Sequence, residues 1–305
     1  MTGAHLNLAI MSKLSRLFAP LFLLLSMAGN AMAVERNVPS PPLPLRIGLT
    51  SVILDDQAAF LNKWRDYLQQ KLGRPVIFVH RGSYREIVDL LRDGKLEFAW
   101  ICGYPYIRNI NNFRLVSIPL YKDEPLYHSY LIVPASDTKT RSLDDLRGKV
   151  FAFSDPDSNS GYLYTEYMLA KKGYLPSTYF SKNFYTWSHR KVVEAIAAGL
   201  AQGGSVDGYV WDTLSKIHPE LTSHTRVVTE SPKFGFPPIV ASGFVSKSDI
   251  TALQKVLSQM AQDREGLSLL DSLNLNGFET GNQRLFDSIA EMYHFVETKR
   301  INAAP

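Results

Sequence analysis

A single cysteine, Cys102, occurs in 305 residues. It has no internal disulfide partner, so the fold must rest on its core, and a chain of this length has enough interior for that. Metal chemistry is equally poorly provided. His80, His128, His189, His218, His224 and His294 are scattered, without the spacing of a zinc site and with no second thiol. No metal or other cofactor is expected. Basic blocks are missing too: 33 Lys and Arg stand against 29 Asp and Glu with no concentrated run, which argues against a nucleic-acid partner. There is no G-x-S-x-G elbow, phosphate-binding P-loop or H-E-x-x-H helix. Ser160 and His189 would make a nucleophile–base pair, but hydrolysis also requires an orienting acid and an oxyanion hole. A hydrolase is therefore the weakest of the readings considered, and the chain reads as a non-enzyme.

Long apolar runs are absent except near the N-terminus. Lys13 and Arg16 precede the run Leu17–Met27, and Ala31-Met32-Ala33 follows it. A charged start, a short apolar stretch and an A-x-A end are the parts of a secretory signal peptide. The run is well short of the roughly 20 residues that span a bilayer. Cleavage is expected after Ala33, with residues 1–33 removed and the remainder periplasmic. Losing Lys13 and Arg16 takes the basic count from 33 to 31 and the net charge to +2. A Pro-rich leader over 34–44 separates this segment from the folded part.

From Leu45 the pattern alternates. Leu45–Leu49 reads as a strand, Phe60–Leu72 as a helix with one apolar stripe, and Val76–Val79 as a strand. Ile87–Leu91 marks a second helix and Phe98–Ile101 a third strand. Such alternation predicts an α/β fold with mostly parallel sheets, which bind ligands at the carboxyl ends of their strands. Loops there include Thr50-Ser51 and Cys102–Tyr106. A second alternation begins at Val150, with a helix over Tyr162–Lys172, a helix around Val192–Ile196, and strands over Val206–Val210 and Thr225–Thr229. Phe236–Ala241 reads as a return crossing, and helices over Asp249–Asp263 and Gln283–Thr298 pack back on the first lobe. Two crossings divide the chain into lobe 1 (45–133 plus 240–305) and lobe 2 (134–239), an arrangement able to close on a hinge.

Three segments carry the chemistry. Ser154–Tyr162 lies between a strand and a helix: Ser158, Asn159 and Ser160 supply short polar side chains, and Gly161 allows close backbone approach. Free amides at a helix start add an anion-binding potential, although the same residue types also serve as ordinary helix caps. His189 opens the helix of Ser188–Gly199, placed to donate to an anion or to be a satisfied structural histidine. Val206–Asp212 reads as a buried strand whose end brings Tyr209, Trp211 and Asp212 to the cleft, with Asp212 equally suited to cap the next helix.

In this order and spacing the segments resemble the phosphate/phosphonate-type substrate-binding proteins of ABC transporters, with the two-lobed type 2 periplasmic binding fold. The family's D-P-x-S-x-S-G run is similar to Asp155–Gly161. Its histidine helix S-H-x-x-V-x-E-A-x-x-x-G is similar to Ser188–Gly199, its V-D strand to the segment from Val206, and its aromatic loop to Gly103-Tyr104-Pro105-Tyr106. The resemblance runs from Leu45 through the rest of the chain. It implies a small oxyanion held by Ser158, Asn159, Ser160, Gly161 and Tyr162, with His189 donating and Tyr104 closing from the other lobe. Beside that set stand Ser51, from the loop after the first strand, and Tyr209, Trp211 and Asp212, from the strand end of the second lobe, as further expected ligand contacts. It also implies a monomer that delivers its ligand to a membrane ABC permease. The same fold serves sensors that report to a membrane kinase or receptor, which is the alternative reading. One departure stands out. Where amine-binding members carry an acid in a P-x-D-P run, this chain has Phe236-Pro237-Pro238-Ile239-Val240, so the expected ligand lacks an amine or carries an apolar body.

Overall fold

The computed structural model describes residues 42–50 and 58–303. The expected signal peptide, most of the Pro-rich leader and Ser51 lie outside the described residues. No helix among the described residues is long and apolar enough to cross a membrane.

Among the described residues, thirteen strands form two main sheets and one small pair. In chain order they are β1 (Leu45–Leu49), β2 (Val76–His80), β3 (Phe98–Trp100), β4 (Phe113–Leu120), β5 (Leu126–Tyr127), β6 (Ser129–Pro134) and β7 (Val150–Phe153). They continue with β8 (Lys182–Tyr185), β9 (Gly203–Asp207), β10 (Thr225–Glu230), β11 (Phe234–Gly235), β12 (Ile239–Ser242) and β13 (Gly277–Thr280). The first sheet has the order β13-β4-β12-β3-β1-β2 and the second β10-β6-β9-β7-β8. Only β1, β2 and β3 run parallel in the first sheet, and β7, β8 and β9 in the second. Both sheets are thus mixed rather than mostly parallel. The strands next to each crossing, β12 and β6, run back against their neighbours.

The helix before the first crossover illustrates why the segments adopt these states. Ser83 caps the helix Tyr84–Arg92 by accepting from the amide of Glu86, whose side chain reaches back to Ser83, a capping box. Ile87, Val88 and Leu91 then fall on one buried face. Gly94 follows at φ +68°, a left-handed conformation that only glycine takes without strain. Burying each such aliphatic side chain contributes about 1.5–3 kcal/mol.

Two crossings connect the sheets. One runs from β4 to β6, the other from β10 to β12, and on the way β5 and β11 pair with each other. The strand Ser129–Pro134, which the sequence reading places with lobe 1 up to Val133, bonds to β9 and β10 in the second sheet. Aromatic rings fill the crossing region. Tyr127 stacks edge-on against Phe234 and Phe236 at 6.2 and 5.8 Å, and Tyr209 sits 5.0 Å from Phe236. The C-terminal helix Asp287–Ala303 does more than pack on the first sheet's helices. Tyr293 meets Tyr104 at 5.7 Å, while Phe295 meets Tyr167 at 5.3 Å, so the helix touches elements of both sheets.

Candidate functional site

The chain leaves β7 at Phe153 and must turn immediately, because Asp155-Pro156 cannot continue the ladder. Asp155 organises the turn. Its buried carboxylate accepts from the amide of Asp157 at 2.8 Å and, across the gap between the sheets, from the amide of Tyr84 at 3.0 Å. Burial pushes the Asp155 carboxyl up, and these two amides hold it partly down. Asp157 makes the next cross-sheet tie: Arg108 donates to it at 2.6 Å and Arg85 lies 3.6 Å away.

A π-turn over Asn159–Leu163 follows and runs into the helix Tyr164–Lys171, so the helical stretch begins earlier than Tyr162. Such wide turns open the backbone at functional places. Ser158 caps it, its Oγ accepting from the amide of Gly161 at 3.0 Å. Ser158, Asn159 and Ser160 are fully buried. The amides of Ser158 and Asn159 are also engaged, by Asp155 O at 2.9 Å and Cys102 Sγ at 3.3 Å. The expected cradle of free amides is therefore largely used inside the turn. What remains without a partner is a set of side-chain oxygens: Ser154 Oγ, Asn159 Oδ1 and Ser160 Oγ. A buried polar atom left unpaired costs about 1–3 kcal/mol, and three within seven residues point to a ligand-binding turn.

Gly161 makes the crowding possible. A Cβ there would lie 1.8 Å from Ser154 Oγ and 3.0 Å from His189 Cε1. His189 opens the helix His189–Ala197 and is wholly buried. Its Nδ1 accepts the backbone N–H of Asp207 at 3.0 Å, and its Nε2 lies 3.4 Å from Ser158 Oγ. With Nδ1 accepting, a neutral ring carries its proton on Nε2 and donates. Burial pushes the imidazole down to about 3, so it stays neutral at physiological pH.

Asp207 ends β9 and caps the helix Gly208–Ile217, accepting from the amides of Tyr209 and Val210. Burial raises its carboxyl to about 8 against those two hydrogen bonds. The strand therefore stops at Asp207, not at Val210, and the cap is Asp207 rather than Asp212. Asp212 sits within the helix and binds Tyr121, Lys122 at 2.9 Å and Tyr130 at 3.3 Å. Tyr209 donates to the carbonyl of Leu273, and Trp211 donates to Thr225 Oγ1 at 3.0 Å. These three residues thus serve the packing of the crossing region and the second sheet. Tyr162 packs on Phe153 and Tyr185 at 5.1 and 5.5 Å, and Tyr104 packs on Tyr293 with the Arg108 guanidinium 5.5 Å over its ring. Of the expected set, Ser158, Asn159, Ser160, Gly161 and His189 come together.

Sequence reading missed four participants. Tyr127, on the crossing strand β5, accepts from Asn159 Nδ2 at 2.9 Å. Turning the Asn159 amide over would let the Tyr127 O–H donate to Oδ1 and free two N–H donors. Cys102 lies at the end of β3, its thiol pushed up to about 11 by burial, and acts as an acceptor. Ser129 supports the turn from behind, donating to Ser160 O at 2.6 Å. Ser154 completes the unpaired set. Among the described residues no group of His, Cys, Asp and Glu is arranged to hold a metal. The site offers neutral donors to an anion in a dry setting, where such hydrogen bonds are strongest.

Comparisons with known proteins agree in kind. The profile of the ABC-transporter phosphonate periplasmic substrate-binding proteins matches residues 48–286. The phosphonates-binding periplasmic protein of Escherichia coli (strain K12) is 23% identical over 98% of this chain and 88% of its own length. The phosphate-import protein PhnD of Mycolicibacterium smegmatis is 26% identical over 158 residues, so the match spans 48% of each chain, about half of that relative. The solved structure of PhnD1 from Prochlorococcus marinus (MIT 9301) in complex with methylphosphonate superimposes with a TM-score of 0.73 at 19% identity, covering 83% of this chain and 98% of that one.

Proposed function

The chain belongs to the periplasmic phosphonate-binding proteins of ABC transporters, and from that premise we propose that it captures a small phosphorus oxyanion lacking an ammonium group and delivers it to a membrane permease. The observation that carries the reading is the trio of buried, unpartnered oxygens on Ser154, Asn159 and Ser160, set beside a histidine fixed in its donating tautomer. An oxyanion accepts several hydrogen bonds at once, so one bound group would satisfy the idle hydroxyls of Ser154 and Ser160 and, with the Asn159 amide turned over so that Tyr127 donates to its Oδ1, the Asn159 N–H donors as well.

The absence of an amine follows from the acids. An ammonium group needs a free carboxylate, and each nearby one is engaged. Asp207 caps a helix and is held mostly protonated near neutrality. Asp155 bonds two amides, Asp157 meets two arginines, and Asp212 meets Lys122 and two tyrosines. A hydrolytic role fits poorly. A general base needs a lone pair facing the serine, whereas Nε2 of His189 carries the proton.

Opening would part the two sheets about the β5–β11 pair and break the Tyr84–Asp155 and Arg108–Asp157 ties, and the ligand favours the closed form only by its differential affinity for it. Calorimetric titration with methylphosphonate, 2-aminoethylphosphonate, inorganic phosphate and methanesulfonate tests the reading. Saturable binding of methylphosphonate or phosphate, no weaker than that of the amino compound, is expected. Tighter binding of 2-aminoethylphosphonate removes the amine-free part, and silence from every phosphorus compound removes the oxyanion reading itself.

A further inference from the structure

A cavity of about 250 Å³ lies behind the oxyanion turn, between the second sheet and the helix Tyr164–Lys171. It falls just below the roughly 300–1,000 Å³ of drug-sized pockets, the size of a small ring compound. Its walls are Leu131 on β6 with Tyr164 and Met168 on the helix. Its floor is polar and buried: Ser129, Thr165 and Ser205 are each at most 4% exposed. Thr165 Oγ1 and Ser205 Oγ share one hydrogen bond of 2.5 Å. Two hydroxyls have two donors, and their mutual bond uses one, so one donor and several lone pairs remain for a guest.

The rim decides the guest's charge. Lys172 is neutralised by Asp144 at 2.6 Å, and Glu230 adds a further negative charge. An anion is disfavoured here, which separates this cavity from the oxyanion site. Ser129 joins the two, since it lines the cavity and its hydroxyl holds Ser160 O at 2.6 Å.

We propose that this cavity is a second binding site, for an uncharged small molecule with an apolar ring and one hydroxyl or carbonyl, and that its occupancy alters the oxyanion turn through Ser129. A guest that pulls the Ser129 hydroxyl toward itself loosens the carbonyl of Ser160. One that packs without touching it holds the turn in place. The linkage therefore runs through the guest's contact with the Ser129 hydroxyl, and it is reciprocal.

The test uses 4-fluorophenol as probe and fluorine NMR on the purified protein. Saturable binding is expected, weakened at least about tenfold, or about 1.4 kcal/mol, by Met168→Trp, which fills the cavity. Thr165→Val, nearly isosteric and lacking the hydroxyl, should weaken it in the same direction, which covers the case of a poorly folded tryptophan variant. Absence of saturable binding overturns the site, and so does binding that survives both substitutions. The linkage is read by titrating methylphosphonate with and without saturating 4-fluorophenol. A change of about fivefold or more in affinity is expected; an unchanged affinity overturns the linkage. If methylphosphonate fails to bind under either condition, inorganic phosphate is titrated in its place; silence from every phosphorus compound overturns the oxyanion reading instead, and the fluorine signal then still decides the cavity.

Discussion

The backbone N–H of Asp207 donates to Nδ1 of His189 at 3.0 Å, and this one bond determines what the histidine can do. A carboxylate in that place would have held the opposite tautomer and primed the ring as a base, as in a hydrolytic triad. An amide donor instead leaves Nε2–H facing Ser158, 3.4 Å away, as a fixed neutral donor. Asp207 spends its own carboxylate on the amides of Tyr209 and Val210. Strand end, helix cap and histidine donor are thus coupled through one residue, Asp207, whose amide fixes the His189 ring while its carboxylate caps the helix.

The coupling has a pH signature. His189 is pushed from 6.5 to about 3 and Asp207 from 3.8 to about 8. Between pH 3.8 and 6.5 the unfolded chain binds the histidine proton while the folded chain keeps the aspartic one, so the two contributions oppose each other. Between pH 6.5 and 8 only Asp207 differs, and stability should fall as pH rises, by up to about 1.4 kcal/mol per unit. Asp207→Asn keeps the cap and removes the titration. Its urea midpoint, followed without ligand, should lose the decline above pH 6.5 and gain a decline as pH falls below it. An unaltered profile would sink the assignment.

Gly161→Ala is the steric probe of the turn. The new Cβ would stand 2.8 Å from Ser154 Cβ as well as 1.8 Å from its Oγ, so rotating the hydroxyl does not relieve the clash. Overpacking of this kind costs about 1–3 kcal/mol. We expect a lower melting temperature and methylphosphonate binding weakened by at least about tenfold, because the displaced groups are the ones that face the ligand. A variant that melts lower yet binds normally would place the ligand elsewhere.

Arg108 and Asp157 tie the first sheet's helices to the oxyanion turn at 2.6 Å, with the Asp157 side chain only 8% exposed. Arg108→Ala leaves that carboxylate with Arg85 alone at 3.6 Å. Arg108 is itself over a third exposed, so the loss is expected at about 1–2 kcal/mol in methylphosphonate affinity rather than the larger cost of a fully buried pair. A double-mutant cycle with Asp157→Asn should show coupling of at least about 0.5 kcal/mol. Additive losses would mean that the ion pair does not hold the turn.

Local pattern carried much of this architecture. The alternation from Leu45 to Ile101 and the serine–glycine turn are written in neighbouring residues, and their elements fall close to where periodicity puts them. What was hidden depends on distant pairs. Tyr127 and Cys102 reach Asn159 from 32 and 57 residues away, and nothing in either local stretch marks them as partners. Val206–Val210 reads as one strand because Val206, Tyr209 and Val210 are strand-favouring residues. It breaks at Asp207, which caps Tyr209 and Val210 and starts a helix there. The strand Gly277–Thr280 is short, holds a glycine and a glutamate, and exists only because β4 offers it an edge.

Ser154 and Ser160 separate a ligand-binding hydroxyl from a structural one. A structural serine has a protein partner, so truncating it weakens the fold. Here both Oγ atoms are buried without a partner. Removing either takes away an unmet desolvation cost, and the price of the small void partly offsets that gain. Ser154→Ala and Ser160→Ala should therefore melt at or slightly above the parent temperature in the absence of ligand. With methylphosphonate at about 100 times its dissociation constant, the parent gains about 2.7 kcal/mol. Each alanine variant should gain visibly less, as one charge-assisted hydrogen bond of about 1.5–3 kcal/mol is lost. A ligand-free melt lowered by several degrees with an unchanged ligand-induced gain would mean that these hydroxyls serve the fold alone. The opposite pattern, an unchanged fold with a diminished response, is what the unpaired oxygens require.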